Sequence, residues 1–101
     1  MIGSEKQIAW ANDIKAKIEA EAANYLGKKE AADKMIAFLL SIEYAAFWIE
    51  NRDDDFRYLF TKLYKNGLMI KGSEFSDCAK CDEDGNIIYG KKGIDGIFVA
   101  N

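Results

Sequence analysis

Cys78-Ala79-Lys80-Cys81 is the one stretch of this sequence whose residue types and spacing invite metal or redox chemistry. A CxxC can present two sulfurs to a single tetrahedral ion, but a closed zinc site takes four ligands. The chain has no other cysteine and no histidine. Completion would fall to Asp77, Asp82 or Asp84, or to the same CxxC of a second copy across a dimer axis. A redox pair belongs at a helix start in a thioredoxin-like frame, whereas this one lies in a turn-rich stretch. The expectation is two reduced thiols, Cys78 and Cys81, beside a hairpin, with neither metal nor cofactor bound.

The remaining candidates are weaker. Asp82-Glu83-Asp84-Gly85-Asn86 suggests a calcium loop until Gly85 is set at its sixth position. Lys80 and Lys91 then occupy the first and twelfth, where oxygen donors are required, so a solvated hairpin tip is the better reading. Gly90-Lys91-Lys92-Gly93 lacks the frame of a phosphate loop. Lys91 and Lys92 are the only obvious cations for a sponge of a small signalling nucleotide, which would need a basic pocket between protomers. The densest charge cluster is Glu50, Arg52, Asp53, Asp54 and Asp55, directly after Trp48. Its plain reading is a solvated helix junction with a capping aspartate. Its functional reading makes Trp48, Arg52, Asp53, Asp54 and Asp55 a partner surface, because Trp and Arg are over-represented in interface hot spots. Trp10 and Trp48 each lie in a helical apolar pattern, which favours core packing for both.

Composition narrows the function classes. The absence of histidine removes the commonest general base and metal ligand, and no nucleophile–base pair is evident, so an enzyme is not expected. A net charge of −3, divided as −2 over residues 1–50 and −1 over 51–101, has the wrong sign for a phosphate-binding surface. Direct nucleic-acid binding is not expected either. Half of the residues are apolar, enough for a core in a chain of 101 residues that length alone reads as one domain. The most apolar run, Met35 to Leu40, is far short of the ~20 residues of a membrane span. Charges through residues 1–20 leave no room for a signal peptide. The expected compartment is the cytosol, where thiols stay reduced.

These residues must be positioned by a few elements. Ser4-Glu5-Lys6-Gln7 reads as a capping box. Ala11, Ile14, Ile18, Ala22 and Tyr25 then recur as one buried helical stripe, with Gly27 as its stop. A second helical pattern begins at about Glu30 and runs through Met35, Ile36, Leu39 and Leu40 to Trp48 and Ile49. Ser41 either breaks it into two helices or is tolerated within one. Apolar on more than one face, this segment should centre the core. One of the aspartates can cap a further helix through Phe56, Leu59, Phe60, Leu63 and Tyr64, ending at Asn66-Gly67. Beyond it come most of the glycines and three short apolar runs at Leu68–Ile70, Ile87–Tyr89 and Ile97–Val99. Asp84-Gly85 signals a type I′ hairpin.

Two stretches carry a resemblance. Gly3-Ser4-Glu5-Lys6-Gln7-Ile8-Ala9-Trp10-Ala11 and Ala46-Phe47-Trp48-Ile49-Glu50-Asn51-Arg52 resemble small uncharacterised proteins of bacteriophages and mobile elements in Gram-positive gut bacteria. Those proteins open with a Ser-Glu-Lys-Gln-Ile-x-Trp-Ala helix and later carry Trp-Trp-Ile-Asp-Asn-Arg; here Phe47 and Glu50 depart from that pattern. The resemblance covers about sixteen of 101 residues and implies a provenance rather than an activity.

The expected architecture is α+β: three or four helices in a body spanning residues 4–66, then a small C-terminal antiparallel hairpin or sheet in a β-rich tail over 68–101. The expected function is a non-enzymatic binding protein of phage or mobile-element origin. Its most specific form is an inhibitor of a host defence system, such as a CRISPR effector, acting on a host or defence protein. The alternative is a structural or nucleic-acid-associated zinc module dimerising through Cys78 and Cys81.

Overall fold

The computed structural model describes residues 1–72 and 77–101; residues 73–76, within the expected β-rich tail, lie outside it. Four α-helices precede a four-stranded antiparallel sheet, the α+β order that the residue pattern calls for. Helix α1 spans Glu5–Ala22, α2 Glu30–Leu40, α3 Ala45–Glu50 and α4 Phe56–Lys65. The strands β1 (Leu68–Met69), β2 (Asp77–Cys81), β3 (Ile87–Lys92) and β4 (Phe98–Ala100) follow one another across the sheet in sequence order.

The capping box forms as the sequence requires. The Gln7 amide donates to Ser4 Oγ at 3.2 Å, and the Ser4 amide donates to Gln7 Oε1 at 3.0 Å. Ala11, Ile18 and Ala22 are the buried stripe of α1. The stripe stops earlier than expected. Ala23–Tyr25 tighten into a 3-10 turn, and Leu26 is already extended ahead of Gly27. That change of winding carries Tyr25 off the stripe, where its ring packs on Phe56 at 5.1 Å between centroids.

Ser41 marks a break between two helices, and the reason is visible in the hydrogen bonds. Its hydroxyl donates back to the Phe38 carbonyl at 2.6 Å, one of the local bonds by which serine competes with helix continuation. The N-terminal segment then claims the freed backbone: the Ile2 amide donates to Glu43 O at 2.6 Å and the Ala45 amide to Ile2 O at 2.9 Å. The Ile42 carbonyl, left without a helical partner, accepts the Trp48 indole N–H at 3.0 Å. A buried indole needs such a partner, and the break supplies it.

Helix α4 buries Phe56, Leu59 and Leu63 and ends where the Gly67 amide returns to Lys62 O at 2.7 Å. One apolar cluster runs through all four helices to Leu68 and Cys81, so the sheet is continuous with the helical core. The hairpin between β2 and β3 differs from the expected type I′ turn, which needs positive φ at both central residues. No described non-glycine residue has positive φ. Instead Gly85 N–H donates to Asp82 O at 3.1 Å and Gly85 alone takes φ +81°. The Asp82 carboxylate receives the amides of Asp84 and Asn86, both at 2.9 Å. With Asp82 available to hold those amides, a longer turn with one left-handed glycine is satisfied, and Asp84 need not adopt the costly conformation.

Candidate partner-binding surface

The α3–α4 junction is fixed by its own backbone bonds. Asn51 Nδ2 donates to Phe47 O at 2.8 Å, and the Asp54 amide donates to Asn51 O at 3.0 Å. Asp55 is the aspartate that caps α4, its Oδ1 accepting the Tyr58 amide at 2.8 Å. A second carboxylate, which sequence spacing gave no reason to suspect, reaches the same helix start from α1. Glu21 Oε2 accepts the Phe56 amide at 2.7 Å.

The two tryptophans part company: core packing, expected for both, holds for Trp48 and fails for Trp10. Trp48 is fully buried, edge-on to Phe47 at 5.0 Å, and is no part of a partner surface. Six residues of α3 must bury Ala45, Phe47 and Trp48 together, and α3 packs against α1. Trp10, expected in the core, is 48% exposed. It lies one residue before Ala11, off the Ala11–Ile18–Ala22 stripe, and the Arg52 guanidinium stacks over its ring at 5.6 Å. Arg52 Nη1 also donates to Ile49 O at 2.9 Å, which fixes the guanidinium in that position. The Gly3–Ala11 and Ala46–Arg52 stretches thus meet in space, one supplying Trp10 and the other Arg52.

The three aspartates do not act as one group. Asp55 is spent on the cap; Asp53 is exposed; Asp54 is half-buried and lines a shallow cleft of about 280 Å³ with Glu50 and Lys62. What the fold assembles is Trp10 with Arg52 on one patch and an acidic cleft at Asp54 beside it in sequence.

The CxxC is not in a turn. It lies on β2, an interior strand, where Cys78 pairs with Gly90 and Cys81 with Ile87. Side chains alternate along a strand, so residues three apart point to opposite faces. Cys81 joins the helical core, while Cys78 is buried beside Gly67 on the other side of the sheet. Burial pushes both thiols up, Cys81 to about 11 with a further push from the Asp82 charge. Burial thus disfavours the thiolate form that a reactive cysteine needs. Of the three acids suggested as completing ligands, two are committed elsewhere, Asp82 to the hairpin amides and Asp77 to Lys71 Nζ at 2.9 Å. Hydrogen bonding from those partners holds both carboxyls below the usual carboxylate range. Among the described residues, no three His, Cys, Asp or Glu side chains converge as a metal site. Lys91 and Lys92 are neighbours on β3 and so take opposite faces, which separates the cations a nucleotide pocket would have to combine. No described helix is long and apolar enough to cross a membrane.

No family model, no curated protein and no solved structure matches the chain.

Proposed function

We propose that this chain is a non-enzymatic binding protein that engages a partner protein through the surface around Trp10 and Arg52, with Asp53 and Asp54 at its flank. The observation that carries the reading is an exposed indole under a guanidinium that is itself tied to a helix carbonyl. Tryptophan and arginine are the side chains most often found as interface anchors, and here both are held in place before a partner arrives, which lowers the ordering cost of binding. Two buried thiols on opposite faces of one strand support a binding role over metal or redox chemistry. The resemblance of the Gly3–Ala11 and Ala46–Arg52 segments to phage and mobile-element proteins supports such an origin. On that origin the partner is a host or defence-system protein, and an inhibitor of a CRISPR effector is the most specific form. Acidic side chains beside the anchors would then steer the domain to a basic face of its target.

Affinity capture with tagged protein from its host, repeated with variants, tests the proposal. Trp10→Ala and Arg52→Ala should lose the captured partner while keeping wild-type stability to within about 1 kcal/mol, the ceiling for an exposed cation–π pair. Trp48→Ala should cost about 3–5 kcal/mol as a buried aromatic deletion and fail through unfolding instead. Undiminished capture by folded Trp10→Ala and Arg52→Ala would remove this surface from consideration.

A further inference from the structure

An aromatic-lined groove lies elsewhere, where the 3-10 turn, the start of α2 and the first turns of α4 meet. It has a volume of about 430 Å³ and is walled by the rings of Tyr25, Phe56 and Phe60. Its charged lining residues are Lys28, Lys29 and Arg57, with no carboxylate among them. In a protein of net charge −3, three cations around one apolar groove run against the overall balance. None of the ion pairs among the described residues involves Lys28, Lys29 or Arg57. Two carboxylates that the fold brings to this corner are turned to backbone amides: Glu21 accepts Phe56 N–H, and Asp33 Oδ1 accepts Gly27 N–H at 2.9 Å. Lys28 Nζ lies 5.6 Å from the Tyr25 ring centroid, so one cation already borders the aromatic wall.

We infer that this groove binds a small anionic amphiphile, with an apolar body against Tyr25, Phe56 and Phe60 and a carboxylate or phosphate head among Lys28, Lys29 and Arg57. Size decides between a small molecule and a protein segment. A stable protein interface engages about 20–30 residues a side, whereas eight residues line this groove. Its volume falls within the roughly 300–1,000 Å³ of small-ligand sites. Lining chemistry decides against a nucleotide: apart from the cations, only the Tyr25 and Thr61 hydroxyls could read a base edge, and the walls are otherwise apolar. The groove shares no residue with the Trp10–Arg52 surface, so the two sites stand or fall separately.

Amide NMR titration of the full chain with sodium decanoate tests the inference, with decylammonium as the cationic counterpart and adenosine monophosphate as a nucleotide. Decanoate should give saturable shifts centred on residues 25–29 and 56–61, weakening as salt is raised. Arg57→Glu and Lys28→Glu should each weaken it about tenfold, the effect of opposing a like charge to the head group. Neither variant should unfold, since both side chains are exposed and an acid in the first turn of α4 complements the helix dipole. The inference is overturned by lack of saturation below about 1 mM, by shifts centred elsewhere, or by undiminished binding in both variants. Equal binding of decylammonium, or tighter binding of adenosine monophosphate at the same amides, overturns it as well.

Discussion

Trp10 and Trp48 occupy similar helical patterns in the sequence, yet one is a surface side chain and the other is wholly buried. The difference is one of angle: Trp10 precedes the buried stripe of α1 by one position, about 100° around a helix of 3.6 residues per turn. Trp48, by contrast, is fully enclosed and finds a carbonyl for its indole N–H. Cys81 illustrates the same dependence of chemistry on surroundings. Buried beside the helical core, its thiol is pushed from an ordinary value near 9 up to about 11. Between those two values the folded chain keeps a proton that the unfolded chain has lost, so the Cys81 contribution to stability falls as pH rises through that window. Urea unfolding of wild type and Cys81→Ala at pH 8 and at pH 10.5 isolates the effect. The wild type should lose up to about 2 kcal/mol more than the variant over that rise. Equal losses would mean that the thiol is not desolvated by the fold.

At the scale of elements, the hairpin between β2 and β3 does more than join two strands, because its tip abuts the start of α2. A Cβ on Gly85 would lie 2.5 Å from the Ala31 carbonyl oxygen, and φ there is +81°. Gly96 offers an internal control, with φ +76° but nothing within 4 Å of the same position. Gly96→Ala should cost only the left-handed penalty of about 1–2 kcal/mol. Gly85→Ala should cost clearly more, because backbone on both sides must shift. Chemical denaturation of the two variants measures the difference, and equal costs would mean that the hairpin tip does not dock on α2. The junction between α3 and α4 is stiff for a related reason: Asp55 and Glu21 together take two of the amides that every helix start leaves open.

For the molecule as a whole, helical body and β-rich tail share one core. Leu68 and Cys81 belong to the same buried cluster as Phe47, Trp48, Leu59 and Leu63. A chain truncated after Asn66 would leave the sheet-facing apolar side chains of α4 in water, and small domains have little stability to spare. Residues 1–66 alone should therefore lose the cooperative thermal transition of the full chain, followed by circular dichroism. A fragment that melted as sharply and as hot as the full chain would make the tail an independent appendage.

The sequence alone determined the elements whose signals are local. The Ser4–Gln7 capping box, the Phe56–Leu59–Leu63 stripe and the α+β order depend on neighbours a few residues apart, and the spacing displays them. Asp55 as a cap was legible only as one of three candidates. Tertiary structure decided whatever depends on a distant partner. Whether Ser41 breaks a helix turned on Ile2 pairing with Glu43 and Ala45 forty residues on. Whether Cys78 and Cys81 could share an ion turned on their lying in a strand, where alternation separates them, and a CxxC looks the same in a strand as in a turn. The pairing of Trp10 with Arg52, and the gathering of Lys28, Lys29 and Arg57 around three aromatic rings, join segments whose contact no local period encodes. Burial and electrostatics act through space, so the chemistry of those surfaces exists only once the chain has closed on itself.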